Sequence, residues 1–184
     1  MRIIAGEAKG RRLCTPKGFG VRPTTDRVKE AIFSMISPYI QESIILDLFS
    51  GTGSLGLEAL SRGAKKGYFV DKSRKSIKLT QENIQHMGFQ SQSEIRLSDA
   101  VRAIEDFVSL GIMFDIVFMD PPYGKGLVLP CMKAINKGKI LNRDAIIVIE
   151  HDETEKIEII DHYRILKEKK YGNTFISVYI MKEE

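Results

Sequence analysis

The most specific chemistry in this chain is carried by four consecutive residues, Asp120-Pro121-Pro122-Tyr123. Adjacent prolines hold the backbone extended and remove two N–H donors, which leaves carbonyls as acceptors. Asp120 adds a carboxylate acceptor, and Tyr123 a flat ring with a polar tip. The exocyclic amine of a nucleobase is a poor nucleophile because its lone pair is delocalised into the ring. If its two protons are accepted by Asp120 and by the Pro121 carbonyl, that nitrogen is drawn toward a tetrahedral, nucleophilic geometry. Stacking on Tyr123 would hold an extruded base in line with an alkylating group. A Pro-Pro turn that merely closes a strand is the competing account, and acids at three other strand ends argue against it.

The second constellation is Gly51-Thr52-Gly53-Ser54-Leu55-Gly56, with Asp71 twenty residues beyond the first glycine. These are the spacings of a dinucleotide site. Asp47 argues against a dinucleotide, because it sets a carboxylate under the glycine loop where a pyrophosphate would sit. S-adenosylmethionine brings an ammonium and a sulfonium there instead, and its carboxylate can use backbone N–H groups at the next helix's N-terminus. Asp47-Leu48-Phe49-Ser50-Gly51-Thr52-Gly53 therefore fits the methyl donor better. Asp71 is placed to accept from both ribose hydroxyls. Asp99 is placed to accept from the adenine amine, with Ala100 giving backbone contacts.

The elements that must position these residues alternate. Apolar strands are expected at 44–48, 68–70, 95–97, 114–119 and 145–149, and helices at 55–62, 73–87, about 101–108 and 127–136. Gly88 is the expected C-cap of the second helix, and Pro130 fits near the first turn of the fourth. Segments 163–170 and 174–181 flank Gly172-Asn173 and predict a hairpin. Together they predict an α/β fold, a doubly wound, mainly parallel sheet with an antiparallel C-terminal hairpin. Asp47, Asp71, Asp99 and Asp120 then share the rim at the strands' carboxyl ends, where such sheets bind ligands. Ahead of the core, 2–5 and 11–14 are expected to pair as a small basic β-hairpin. Val28, Ala31, Ile32, Met35 and Ile36 mark a helix capped by Thr24 or Thr25. The expected division is 1–40 for this hairpin and helix and 41–184 for the core.

The 184 residues, 43% of them apolar and 28% charged, describe one ordinary globule. Cys14 and Cys131 form no metal pair, and reduced thiols in the cytoplasm are the simplest reading. No apolar run approaches a membrane span, and Met1 to Gly6 is too short in apolar residues for a secretory signal. His86, His151 and His162 are scattered and read as surface or edge residues, so no metal is expected. Net charge is +4, but residues 1–30 alone carry +5 and the rest −1. A basic block beside a neutral body is either a solvated face or the footprint of a polyanion such as nucleic acid.

The chain resembles the RsmD family of small-subunit ribosomal RNA (guanine-N2)-methyltransferases, class I enzymes dependent on S-adenosylmethionine. The resemblance rests on Met1-Arg2-Ile3-Ile4-Ala5-Gly6, Lys9-Gly10-Arg11-Arg12-Leu13 and Arg22-Pro23-Thr24-Thr25-Asp26-Arg27-Val28-Lys29-Glu30. It continues through Leu46 to Gly53, Gly56-Leu57-Glu58-Ala59-Leu60-Ser61-Arg62-Gly63-Ala64 and Asp120 to Tyr123. It implies a seven-stranded Rossmann-like sheet and a guanine of 16S RNA in the small subunit as substrate. It also implies that the first helix helps close over the cofactor, involving Thr25 and Arg27. The cofactor set is then Thr25, Arg27, Asp47, Ser50, Gly51, Thr52, Gly53, Asp71, Lys72, Asp99 and Ala100. Arg2, Lys9, Arg11, Arg12, Lys17 and Arg22 would hold phosphates, and a monomer is expected. One physical point favours guanine: its N1–H beside the N2 amine offers two donors to a carboxylate such as Asp120. Adenine or cytosine methylation, protein glutamine methylation and a non-catalytic RNA-binding role remain the alternatives.

Overall fold

A computed structural model describes residues 1–15, 26–152 and 162–182. Helix α1 spans Asp26–Ile36, followed by β1 (Ile44–Asp47), α2 (Ser54–Ser61), β2 (Lys66–Asp71), α3 (Arg74–Met87) and β3 (Ser93–Leu97). Then come α4 (Ala100–Ser109), β4 (Phe114–Met119), α5 (Val128–Gly138), β5 (Leu141–Asp152), β6 (Tyr163–Tyr171) and β7 (Thr174–Met181). The seven strands form one sheet in the order β3-β2-β1-β4-β5-β7-β6. The first five are parallel, and β7 runs antiparallel between β5 and β6.

The period-2 geometry of the strands splits their side chains between two cores. Ile45, Phe69, Ile116, Phe118, Ile146 and Val148 face α1, α2 and α3. Leu46, Tyr68, Val70, Val117, Ile147 and Ile149 face α4 and α5. Parallel strands buried on both faces explain why they read as continuous apolar runs. Gly88 caps α3 in the left-handed region, and Ser73 Oγ accepts from Ser76 N at its start.

One expectation is met in reduced form and one needs correction. Residues 2–5 and 11–14 do pair antiparallel, but through a single bridge. Arg2 and Arg12 make an isolated antiparallel bridge, flanked by Ile3 N to Arg11 O (3.0 Å) and Leu13 N to Met1 O (3.2 Å). Regular pairing stops there because Ile4 N and Ala5 N donate to the Glu58 carboxylate instead. His151 is no surface residue: it is buried near the end of β5, stacked on Phe175 and bonded through Nε2 to Ser177 Oγ (2.9 Å). Burial follows from β5 being flanked by both β4 and β7. His86 and His162 are exposed. The Thr24 or Thr25 cap lies outside the described residues.

Candidate active site

Four acids reach one rim. Asp47 and Asp71 end β1 and β2, Asp120 directly follows β4, and Asp99 lies two residues past β3. Between the first two runs the glycine loop. Gly51 and Gly53 have φ of 55° and 77°, and a Cβ on Gly53 would stand 3.2 Å from both Leu57 and Thr80 side chains. Gly56 lets α2 lie close on β2, since a Cβ there would come 2.3 Å from the Phe69 ring.

Two of the acids build the loop as well as line it. Asp71 accepts from Gly51 N (3.0 Å) and Ser73 N (2.8 Å), one bond to each oxygen. Each oxygen keeps a second lone pair, so these bonds leave room for ribose hydroxyls. Asp47 is 2% exposed and accepts from Gly56 N at 3.2 Å. Burial, reinforced by the Asp71 charge, pushes its carboxyl up to about 7. The buried site thus favours the neutral acid, and a bound cation would favour its ionised form. Beside it, Ser54 Oγ at the start of α2 is buried without a hydrogen-bond partner. Among the described residues, an acid short of a counter-ion and a hydroxyl without a partner both fit the methionine end of S-adenosylmethionine.

The remaining cofactor residues fall around this loop. Ser50 N donates to Val70 O (2.9 Å), and its hydroxyl lies 3.3 Å from Thr80 Oγ1. Thr52 Oγ1 contacts Met1 Sδ at 3.7 Å, and Lys72 is exposed just past β2. Asp99 caps α4, accepting from Arg102 N (3.0 Å), and Ala100 is that helix's first residue. A cavity of about 490 Å³ opens beside Asp99, and Ser98 Oγ in its wall is buried with no hydrogen-bond partner. Arg27 is exposed on α1, and Thr25 lies outside the described residues.

Past β4, Pro121 is buried, Pro122 exposed and Asp120 half-buried. Tyr123 is held by its tip: the hydroxyl donates to Glu150 Oε1 (3.0 Å) and lies 3.2 Å from Thr174 Oγ1. Burial, with the charges of Glu150 and Asp120, raises its phenol to about 12, so it stays a neutral donor. Glu150 and Thr174 were not anticipated, because the contact spans β4, β5 and β7.

The basic N-terminus is tied down rather than loose. Arg2 pairs with Asp26 (2.9 Å), Arg11 Nη1 donates to Met87 O (3.1 Å), and Lys9 and Arg12 are exposed. Lys17 and Arg22 lie outside the described residues. Lys29, counted in the basic block, is fully buried and pairs with fully buried Glu58 at 2.9 Å. Glu58 also accepts from Ile4 N (2.8 Å), Ala5 N (3.0 Å) and Arg62 Nε (2.8 Å). Asn83 on α3, also buried, joins the segment to the glycine loop. Its Nδ2 donates to Cys14 O (3.0 Å) and Thr52 O (2.9 Å), and its Oδ1 accepts from Cys14 N (2.7 Å). A lone acid inside the apolar run Leu55 to Leu60 was the available signal for Glu58. Asn83 left none.

Residues 1–180 match a protein-family model described as conserved hypothetical protein 95. The chain belongs to this family, the RsmD family. It is 38% identical to YlbH of Bacillus subtilis over 180 residues, covering 97% of this chain and 98% of that one. It is 35% identical over 173 residues to ribosomal RNA small subunit methyltransferase D of Haemophilus influenzae, covering 94% and 89%. Among solved structures, yhhF from Escherichia coli superposes with a TM-score of 0.86 at 28% identity, covering 99% of this chain and 98% of that one. The structure of SMU.776 complexed with SAH shares the fold at a TM-score of 0.66 and 15% identity, covering 83% and 48%. This RsmD-family chain therefore has the Rossmann-like methyltransferase sheet, with the C-terminal hairpin as its antiparallel edge.

Proposed function

We propose that this chain transfers a methyl group from S-adenosylmethionine to the exocyclic N2 of one guanine in 16S ribosomal RNA of the small subunit. The observation that carries the reading is the shared rim: the Asp120–Tyr123 turn stands beside a glycine loop whose buried acid, Asp47, has no cation partner among the described residues. The Haemophilus relative, named for the ribosomal RNA small subunit, supports the substrate class.

Asp47, Asp71 and the glycine loop hold the cofactor's ammonium and ribose, with Asp99 and Ala100 at the adenine. Bound there, S-adenosylmethionine supplies an activated methyl carbon on a sulfonium. Asp120 and the Pro121 carbonyl accept hydrogen bonds from the two amine N–H groups, which orients the nitrogen lone pair toward that carbon. Tyr123, fixed through its hydroxyl, presents its ring to the extruded base. Attack by that nitrogen would displace the donor's sulfur, leaving S-adenosylhomocysteine, and Asp120 or water would take the one proton the nitrogen then gives up. Arg2, Lys9, Arg11 and Arg12 hold phosphates.

The test is to offer labelled cofactor to small subunits lacking the modification, digest the RNA and identify the labelled nucleoside. N2-methylguanosine is expected. Labelled N6-methyladenosine, or label in a protein fraction, would overturn the reading.

A further inference from the structure

The geometry points to a second phosphate-contacting surface for single-stranded RNA, made of Lys125, Lys169 and Lys170, on the far side of Tyr123 from the N-terminal cations. The inference rests on the proposed function, in which an RNA base reaches Tyr123. A strand that delivers an extruded base must leave the site in two directions. The described N-terminal cations, Arg2, Lys9, Arg11 and Arg12, serve one of them, because their segment is fastened over α2 and α3, through Ser61 O, Met87 O and Asn83. Those helices lie over the β1-to-β3 side of the sheet.

On the other side the β6–β7 turn rises to the same rim as Asp120. Register fixes this: Thr174 pairs with Asp152 at the end of β5 and with Tyr171, and Lys170 pairs with Phe175. Thr174 in turn contacts the Tyr123 hydroxyl. Lys169 and Lys170 are therefore one or two strand positions from the residue that tethers the tyrosine, and both are exposed. Lys125 lies two residues past Tyr123, exposed between Gly124 and Gly126, whose φ values are 68° and 61°.

The tip is rigidly mounted. Lys170 Nζ sits 5.1 Å above the Phe175 ring, and His151 stacks on that ring at 5.6 Å. His151 bonds Ser177, whose hydroxyl donates to Glu168 Oε1 at 2.6 Å. The one acid between the β6 lysines is thereby turned to Ser177. Lys170, held over the Phe175 ring, loses little freedom on meeting phosphate. Lysines on an edge strand also deter sheet-to-sheet pairing, but Lys125 is on a loop and that role does not account for it.

The experiment measures the affinity of a labelled single-stranded RNA oligonucleotide against salt, in the presence of S-adenosylhomocysteine. For the triple variant Lys125→Ala/Lys169→Ala/Lys170→Ala the log–log slope is expected to become shallower by about 2, as three lost single-strand phosphate contacts require. S-adenosylhomocysteine affinity and melting temperature are expected to match wild type, and the corresponding triple Lys→Arg variant to restore the slope. Lys65→Ala/Lys133→Ala removes two exposed charges elsewhere and should leave it unchanged. A wild-type slope in the alanine triple, or an equal loss in the Lys65/Lys133 control, would overturn the inference. Failure of wild-type protein to methylate guanine would instead sink the proposed function and leave this comparison standing.

Discussion

Moving the pH from 8 to 5 in the presence of S-adenosylhomocysteine examines the buried acid directly. Asp47 titrates near 7 instead of 3.8 because burial removes its solvent and no cation replaces it. The cofactor's ammonium provides one, so binding requires the ionised carboxylate. Kd should then be level above about 7 and rise about tenfold per pH unit below, reaching about 100-fold at pH 5. At pH 6 most of the protein must release a proton on binding, close to one per ligand, readable by calorimetry in two buffers of different ionisation heat. Stability runs the opposite way. A raised value means that the fold prefers the neutral acid, so this contribution is full below 3.8 and is lost as pH rises through about 7. The loss is about 4 kcal/mol. Asp47→Asn, which can still accept from Gly56 N, should melt higher than wild type without ligand at pH 8 and about equally at pH 4. Its Kd should show no step near 7. Proton release absent at pH 6 in wild type, or an unchanged pH step in Asp47→Asn, refutes the pairing.

Three other outcomes follow from the geometry. Asp120→Ala should lower kcat by about two to four orders of magnitude while RNA affinity by filter binding stays near wild type. Glu58→Ala leaves Lys29 buried without its counter-charge and should cost about 3–5 kcal/mol in urea unfolding; Lys29→Met/Glu58→Leu should regain only the Lys29 share, because Ile4 N, Ala5 N and Arg62 still lose their acceptor. Arg11→Ala/Arg12→Ala should make the salt dependence of RNA affinity shallower by about 1 to 2; an unchanged slope would return those residues to a solvated face.

The alternation of apolar strands and amphipathic helices was legible because the parallel strands inside the sheet are buried on both faces; the edge strand β3 is only half-buried. Strand Phe114–Met119 is observed with the bounds its apolar run gives. Strand β5 runs further, Leu141 to Asp152: Leu141 pairs with Phe114, while Asn142, Arg143 and Asp144 fall in an irregularity before the ladder resumes at Ile146, and pairing with β7 carries Glu150, His151 and Asp152 despite their polarity. The four rim acids were legible for the same reason that strand ends were. Hidden from the sequence were the polar contacts that need three dimensions. Lys29 and Glu58 look like surface charges until α1 and α2 close over them. Asn83 sits on what a helical projection makes a polar flank, yet the N-terminal segment covers it. Tyr123 advertises a stacking ring, but its anchorage on Glu150 and Thr174 depends on the β5–β7 register.

The sealed contact between Lys29 and Glu58 also constrains how such sequences can drift. The constraint is one-sided: Glu58 keeps Arg62 and two backbone donors if Lys29 changes, whereas Lys29 without Glu58 holds a charge away from water. Variants that keep Lys29 and lose Glu58 should therefore be rare, although the two lie 29 positions apart along the chain.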